Sequence, residues 1–166
     1  MGYSKQSLNE RDTVYMLITD RFFDGDSGNN GVLGEEYRPG NLRYYQGGDW
    51  AGLRQKLPYI KRLGFTAIWM TAPQDNEKFS RTGDEAGYHG YYTRDFNSPN
   101  PHFGTAQELE ALMAEADRLG LKVIIDAQLN HTADYLEYPS LTYDPPEYRP
   151  APPFDDPAWY QSFRSE

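Results

Sequence analysis

Three short apolar runs divide the chain and predict buried β-strands at residues 14–19, 65–71 and 121–125. Each run is bounded by polar, glycine or proline residues, which are typical of turns. Uninterrupted apolar runs of this length are characteristic of parallel strands, because such strands are covered on both faces. Asp20 follows the first predicted strand and Asp126 follows the third. Carboxylates therefore lie directly after two of the three strands.

Helical periodicity occupies the two intervals between these strands. Apolar residues recur at helical spacing in both intervals, at Leu53, Leu57 and Ile60 and then at Leu109, Leu112, Ala116 and Leu119. Asp49 is the predicted N-cap of the first helix, and Thr105 with Glu108 forms a capping-box sequence at the second. Gly64 and Gly120 follow the periodic segments and predict the ends of the helices.

The alternating order of strands and helices predicts an α/β fold with a parallel sheet and right-handed crossovers. Roughly thirty mostly polar residues separate each strand from the next helix, whereas one glycine separates each helix from the next strand. The long insertions therefore lie at the carboxyl ends of the strands, where barrels and doubly wound sheets hold their active sites. Both helices are expected on one face of the sheet. The uncovered face predicts either a longer protein or a homo-oligomer formed through that face.

Composition narrows the classes of partner. Asp and Glu number 25 against 16 Lys and Arg, which argues against nucleic acid or an anionic membrane surface as the main partner. No apolar run is long enough to predict a membrane span, and the first residues lack the apolar segment of a signal peptide. Aromatic residues make up 15% of the chain. This richness suits stacking on the apolar faces of sugar rings, and it equally suits ordinary packing.

The first long loop brings carboxylate and amide side chains close together at Asp24, Asp26, Asn29 and Asn30. Hard oxygen ligands of this type are those that Ca²⁺ prefers. An EF-hand is excluded, since Asn29 stands where that loop needs a glycine and no helices are predicted on either side. The alternative is a polar turn without a metal, because such turns are commonly rich in Asp, Asn and Gly.

The segment after the third strand places Asp126, Asn130 and His131 at the mouth of the sheet. These groups could hold a substrate hydroxyl or a metal. The alternative is a hydrogen-bonded structural carboxylate and an ordinary loop histidine.

The second long loop carries an aromatic cluster around His89. Tyr91 and Tyr92 could stack on sugars, His89 could bond a hydroxyl, and Arg94 could pair with a carboxylate. A rigid loop packed by its own aromatic side chains explains the same residues, and the pattern alone does not decide between them.

Five motifs in register carry a resemblance to a known family. They read VYMLITDRFFDGD with GNN at 28–30, then YYQGGDWAGLRQKLPYIKRLGFTAIWM, GYHGYYTRDF, FGT and KVIIDAQLNHT. In order and spacing they resemble the beginning of the α-amylase glycoside hydrolases, and particularly the cyclodextrin glucanotransferase and bacterial α-amylase branch. The resemblance covers about residues 12–133. It implies the first three strands and two helices of a (β/α)8 barrel at 1–132 and the start of an irregular inserted domain at 133–166.

The resemblance also implies roles for individual residues. The positions that match the branch's calcium ligands are Asp24, Asp26, Asn29, Asn30, Gly47 and Asp49, and Asn130 matches a ligand of a second calcium. Tyr91 matches the aromatic platform beneath the sugar at the cleavage point, and His131 matches the histidine that bonds that sugar's hydroxyl. Asp126 matches a carboxylate that positions an active-site arginine. His89 and Tyr92 match neighbouring sugar contacts, and Leu129 departs from the proline that is frequent in relatives.

The implied activity is hydrolysis or transglycosylation of α-1,4-glucans such as starch and maltooligosaccharides, with an extracellular location. Retaining glycosidases need a carboxylate nucleophile and a carboxylic acid about 5–5.5 Å apart. In this family both belong to later segments, so they are expected beyond residue 166 and Asp126 is not the nucleophile. Two alternatives stay open. One is a calcium-dependent glucan-binding module without catalysis, and the other is a self-associating partial barrel with unconventional activity centred on Asp126.

Overall fold

A computed structural model describes residues 7–80 and 82–133, the backbone of 136–137 and 142–143, and residues 152, 155, 156 and 158. The elements in chain order are β1 Val14–Leu17, α1 Thr19–Phe22, a 3-10 turn Ser27–Asn29, α2 Trp50–Arg62, β2 Ala67–Met70, β3 Gln74–Asn76, β4 Thr93–Pro99, α3 Ala106–Arg118, β5 Lys122–Ile125, β6 Leu136–Glu137 and β7 Thr142–Tyr143.

The central sheet has the strand order β1-β2-β5, and both pairs of strands are parallel. This arrangement confirms the predicted parallel sheet. The amide of Asp126 donates to the carbonyl oxygen of Met70 at 3.1 Å, which extends the β2–β5 ladder one residue beyond the strand. Asp126 therefore lies at the carboxyl edge of the sheet, as the sequence predicted.

The two predicted helices begin where their capping residues indicate. The Asp49 carboxylate accepts from the amide of Gly52 at 2.6 Å, and Thr105 and Glu108 form a reciprocal capping box at the start of α3. The helices pack on one face of the sheet over a core of buried apolar residues, which includes Leu17, Leu53, Leu57, Ile60, Ile68, Met70, Leu112 and Ala116. Burying each large aliphatic side chain contributes about 1.5–3 kcal/mol.

The face of the sheet opposite the helices is apolar and partly exposed. Val14 is 38% exposed, Met16 is 49% exposed and Trp69 is 39% exposed. Met16 and Trp69 are aligned in the register of neighbouring parallel strands, so their side chains share one face. Within the described residues, the expectation of a sheet with one uncovered face is confirmed.

The long loops contain more regular structure than the sequence predicted. The interval 74–104 was expected to be a loop, but β3 and β4 form an antiparallel pair within it. The strand β3 is polar yet buried, and the side-chain amide of Asn76 donates to the carbonyl oxygen of Gln74 at 2.7 Å. Apolar periodicity cannot detect a strand of this kind, because its buried side chains are polar and pair through hydrogen bonds and an ion pair.

The first strand is shorter than the predicted 14–19, because β1 ends at Leu17 and Thr19 begins a helix. Two short elements also lie where no regular structure was predicted. The helix α1 forms a single turn directly after β1, and β6 pairs with β7 in the segment after residue 133. The predicted division between 1–132 and 133–166 stays a prediction, since most of the second part lies outside the described residues. In the part of the chain that the structure describes, no helix has both the length and the apolar character needed to cross a membrane.

Candidate functional site

The carboxylate of Asp49 organises the loop between β1 and α2. Its side chain is fully buried. It accepts from the backbone amides of Gly25 at 3.1 Å, Asp26 at 2.8 Å and Gly52 at 2.6 Å, and from the side-chain amide of Asn29 at 3.2 Å. One residue therefore caps α2 and also fixes the backbone of the Asp24–Asn30 segment.

The two asparagines of this loop present unpaired oxygens. The amide nitrogen of Asn30 donates to Asp24 Oδ2 at 2.7 Å, and that of Asn29 donates to Asp49. The Oδ1 atoms of both asparagines are buried and have no hydrogen-bond partner among the described residues. Unpaired buried oxygens are costly unless they bind something. Because the nitrogens face carboxylates, the hydrogen bonds fix the amide orientation and leave the oxygens available as ligands.

Gly47 lies against the amide of Asn30. Its backbone has φ +95°, and a Cβ at this position would come within 2.5 Å of Asn30 Oδ1. Any other residue would therefore be strained and would also fill the space beside the unpaired oxygen. The amide of Gly47 donates to Asp20 Oδ1 at 3.2 Å, which anchors this close approach.

These residues fit a calcium ion. Among the described residues, no ion pair to a Lys, Arg or His neutralises Asp24, Asp26 or Asp49. Acidic, histidine and cysteine side chains alone form no group of three there that could hold a metal. The candidate site therefore depends on amide and backbone oxygens as well as carboxylates, a mixture that Ca²⁺ accepts with about six to eight ligands.

A second cluster lies at the carboxyl edge of the sheet, where Tyr91 meets Asp126. The phenol hydroxyl of Tyr91 donates to Asp126 Oδ2 across a sequence separation of 35 residues. This hydrogen bond, together with burial, raises the pKa of Tyr91 to about 12. The phenol is therefore a stable donor at neutral pH, and the tyrosine ring is held at the mouth of the sheet.

His89 completes an aromatic corner. Its ring stacks on Tyr91 with centroids 5.4 Å apart and meets Tyr92 edge-on at 4.4 Å. The Nδ1 atom of His89 accepts from the amide of Tyr91 at 2.9 Å, and burial lowers the pKa of the imidazole. A neutral imidazole that accepts at Nδ1 carries its proton on Nε2. His89 can therefore donate to a hydroxyl oxygen through Nε2.

Tyr92 is held by two residues that the sequence did not single out. Its amide donates to Asn76 Oδ1 at 2.7 Å, and its hydroxyl donates to Glu85 Oε2 at 3.4 Å. Asn76 could have been singled out as a polar residue within a buried strand, but the sequence did not predict that strand. For Glu85 the sequence offers no comparable signal.

Gly90 makes this corner possible. Its backbone has φ +89°, and a Cβ there would come within 2.8 Å of the carbonyl oxygen of Ala72. Close contact with Ala72, two residues after β2, thus places the residues on either side of Gly90 next to the sheet edge.

The structure does not bring every predicted residue into the cluster. Asn130 and His131 are exposed, and within the described chain neither forms a hydrogen bond or ring contact. Arg94 does pair with carboxylates, as the sequence suggested, since it contacts Asp75 and approaches Glu77 at 3.8 Å. The second calcium site at Asn130 stays a prediction.

Comparison with known proteins identifies the family. The family model described as "Alpha amylase, catalytic domain" matches residues 16–162. The chain belongs to the α-amylase family of glycoside hydrolases.

Individual relatives agree with this assignment. The chain is 44% identical over 126 residues to a cyclomaltodextrin glucanotransferase from Klebsiella oxytoca, which covers 74% of this chain and 19% of the relative. It is 43% identical to an alpha-amylase from Streptomyces lividans, over 72% of this chain and 14% of the relative. A solved cyclomaltodextrin glucanotransferase with a three-domain ABC distribution superimposes with a TM-score of 0.69 at 39% identity, covering 74% of this chain and 26% of that one. The chain thus spans between about a seventh and a fifth of the length of these curated relatives.

Proposed function

We propose that this chain supplies the calcium site and part of the sugar site of a retaining enzyme that hydrolyses or transfers α-1,4-glucans. Its sheet would form the first three strands of a (β/α)8 barrel, and later strands would cover the exposed apolar face. The nucleophile and the general acid would come from segments other than those described above. The observation that carries the proposal is the corner of His89, Tyr91 and Tyr92 against Asp126.

The chemistry of this corner suits a glucose ring. Aromatic rings present an apolar face to the C–H groups of a sugar, and Tyr91 and Tyr92 are both partly exposed. His89 supplies a donor for a hydroxyl, and the bond from Tyr91 fixes the rotamer of the platform. His131 would add a second hydroxyl contact from the adjacent loop. Asp126 Oδ2 already accepts from Tyr91, so the other carboxylate oxygen would position a cationic group in the complete site.

Calcium has a structural role in this proposal. When bound, the ion would supply a divalent positive charge that joins Asp24, Asp26, Asn29 and Asn30 to Gly47 and Asp49. The loop already holds its ligands near their places through Asp49, so the ion would add rigidity to a preformed arrangement.

Calorimetry tests both sites together. We expect purified chain to bind maltoheptaose with Ca²⁺ present.

Chelation of Ca²⁺ with EDTA should lower the unfolding free energy of the chain by about 2–3 kcal/mol, relative to Ca²⁺ at a hundred times its dissociation constant. Asp24→Ala should lower stability in Ca²⁺ and have little effect in EDTA, since Asp24 is exposed. If EDTA and Asp24→Ala both leave the melting temperature in Ca²⁺ unchanged, the calcium site is wrong.

Turnover separates an incomplete site or a binding module without catalysis from a chain that is catalytic by itself. The binding module is favoured by the corner of His89, Tyr91 and Tyr92, which offers an aromatic platform and hydrogen-bond donors for sugar hydroxyls without catalytic groups. Maltoheptaose hydrolysis is measured beside an Asp126→Asn control. Binding without turnover supports an incomplete site or a binding module, whereas turnover that disappears in the control would place unconventional catalysis at Asp126.

Self-association through the face of Val14, Met16 and Trp69 is the remaining alternative. Sedimentation of the purified chain distinguishes a monomer from an assembly. A dimer that Trp69→Lys converts to a monomer would support pairing through this face.

A further inference from the structure

Three buried polar side chains from separate segments form a hydrogen-bonded chain, and two of them are near neighbours in sequence of Tyr92 and Asp126 in the candidate sugar site. Gln74 lies on β3, Thr93 on β4 and Gln128 in the segment after β5. The amide nitrogen of Gln74 donates to Thr93 Oγ1 at 3.2 Å, and Thr93 Oγ1 donates to Gln128 Oε1 at 2.7 Å. Thr93 is fully buried, and each glutamine is 9% exposed.

The hydrogen bonds fix the direction of this chain. A hydroxyl has one proton, so Thr93 can accept from Gln74 and donate to Gln128 at the same time. If the Gln128 amide were reversed, two amide donors would face Thr93 and its own proton would lose its acceptor. The assigned orientation leaves Gln128 Nε2 buried without a hydrogen-bond partner among the described residues. The Thr93–Gln128 hydrogen bond thus forms even though it leaves the side-chain nitrogen of Gln128 unpaired.

Thr93 also holds the far end of the same segment. Its carbonyl oxygen accepts from the amide of Ala133 at 3.1 Å. Side chain and backbone of one residue thus hold both ends of the segment 128–133. Between these two points lie Asn130 and His131, which are exposed and make no hydrogen bond within the described chain.

We propose that the Thr93–Gln128 hydrogen bond positions the loop that presents His131 to the sugar. Thr93 and Gln128 are positioning residues in this inference, because both are buried away from any substrate. The inference rests on the proposed sugar site, whose other half is the corner of His89 and Tyr91. A fixed loop would keep His131 at a constant height above the sheet edge without fixing its side chain.

A purely structural role predicts a different pattern of effects. If the chain of side chains only stabilised the fold, removing the amide of Gln128 would change stability and little else. Leucine has a similar volume and removes the unpaired amide of Gln128, but it leaves the buried Thr93 hydroxyl without an acceptor. The two effects oppose each other, so Gln128→Leu is expected to change global stability little. Thr93 keeps its bond from Gln74 in this variant. The variant Gln128→Leu therefore separates the effect on loop position from the effect on global stability.

The experiment measures hydrogen exchange of the Ala133 amide, maltoheptaose affinity and melting temperature in Gln128→Leu. We expect the melting temperature to change little, because the variant removes one unpaired buried group and creates another. The Ala133 amide should exchange about tenfold faster, which corresponds to one net hydrogen bond, and maltoheptaose affinity should fall by a similar or smaller factor. Thr93→Val should reproduce both local effects, and Thr93→Ser, which keeps the hydroxyl, should restore wild-type exchange and affinity.

The outcomes distinguish this inference from the function on which it rests. Unchanged Ala133 exchange in both Gln128→Leu and Thr93→Val would overturn the positioning role. Faster exchange with unchanged affinity would also overturn it, because the loop position would not matter for sugar. If wild-type chain binds no maltoheptaose, the proposed sugar site fails. Ala133 exchange then decides alone whether the bond holds the loop.

Discussion

The two long loops of this chain build their candidate sites in different ways. In the first loop, every donor to Asp49 comes from residues 25–52, so the calcium-type site closes within one continuous segment. In the second region, Tyr91 must meet Asp126, which follows a different strand, and His131 lies further along the segment of Asp126, which Thr93 holds at Ala133. Local closure makes the first site self-sufficient, whereas the second depends on the sheet that brings its parts together.

Burial reinforces this difference. Asp49 is 0% exposed, while the Tyr91 and Asp126 side chains are only partly buried. Substitutions in the first loop should therefore act mainly on stability, and substitutions in the second region should act mainly on binding.

Asp49→Ala should have the largest effect. It removes the cap of α2 and leaves the amides of Gly25, Asp26 and Gly52 without their acceptor. Losing a cap costs about 0.5–2 kcal/mol, and each buried group left unpaired adds about 1–3 kcal/mol. We expect a loss of roughly 3–5 kcal/mol in chemical denaturation, even in EDTA.

Asp49→Asn is the matched control. It keeps one carbonyl acceptor and the side-chain volume, so it should lose less stability in EDTA than Asp49→Ala. It should nevertheless lose most of the stabilisation by Ca²⁺. Equal stability of wild type and Asp49→Ala in EDTA would show that the loop does not depend on this carboxylate.

The two regions meet at His102, just before α3. Its ring stacks on Tyr45 with centroids 3.8 Å apart, and Nε2 lies 3.4 Å from Glu36 Oε1 of the first loop. Lys78, from the second loop, approaches the other oxygen of Glu36 at 3.7 Å. Burial lowers the pKa of His102 to about 4, against the attraction of Glu36.

Acidification should therefore weaken the junction of the two loops. The unfolded chain takes up the His102 proton at pH values around 6.5, whereas the folded chain does so only near 4. Between these values the unfolded state binds more protons, so the unfolding free energy falls as the pH is lowered. The shift corresponds to at most roughly 3 kcal/mol. His102→Phe keeps a ring against Tyr45 and should show a flatter stability profile from pH 6.5 to 4 than wild type.

Parallel profiles of the two proteins over this range would rule out His102 as the source. Native-state hydrogen exchange at pH 5 adds spatial detail. Amides near Glu36 should lose protection before those of the α2–α3 core.

The sequence predicted the central strands and the two long helices, because these elements depend on patterns among residues that are close in sequence. Apolar periodicity and capping residues such as Asp49 and Thr105 determined the helices, and both caps are confirmed. The pair β3–β4 was missed because β3 consists of Gln74, Asp75 and Asn76, which are polar residues buried by hydrogen bonding. No periodic pattern marks such a strand, and its partner lies 17 residues beyond its end.

Candidate residues were predicted better than their partners. The resemblance named Tyr91 and Asp126, but the hydrogen bond between them depends on three-dimensional closure of the second loop. Likewise Glu36, buried among polar groups, carries no sequence signal beyond its charge. A motif identifies the individual residues, whereas the hydrogen bond between Tyr91 and Asp126, which are 35 positions apart, depends on the fold.

Tyr91 gives the smallest and most specific test. Tyr91→Ala removes the ring that stacks on His89 and should weaken maltoheptaose binding about tenfold, with little loss of melting temperature at this partly exposed position. Tyr91→Phe keeps the ring and loses only the bond to Asp126, so affinity should fall by less than about threefold. If Phe weakens binding as much as Ala, the hydroxyl and not the ring carries the interaction. If neither variant changes affinity, Tyr91 is no platform, and the second region would be organised for packing as the first loop is.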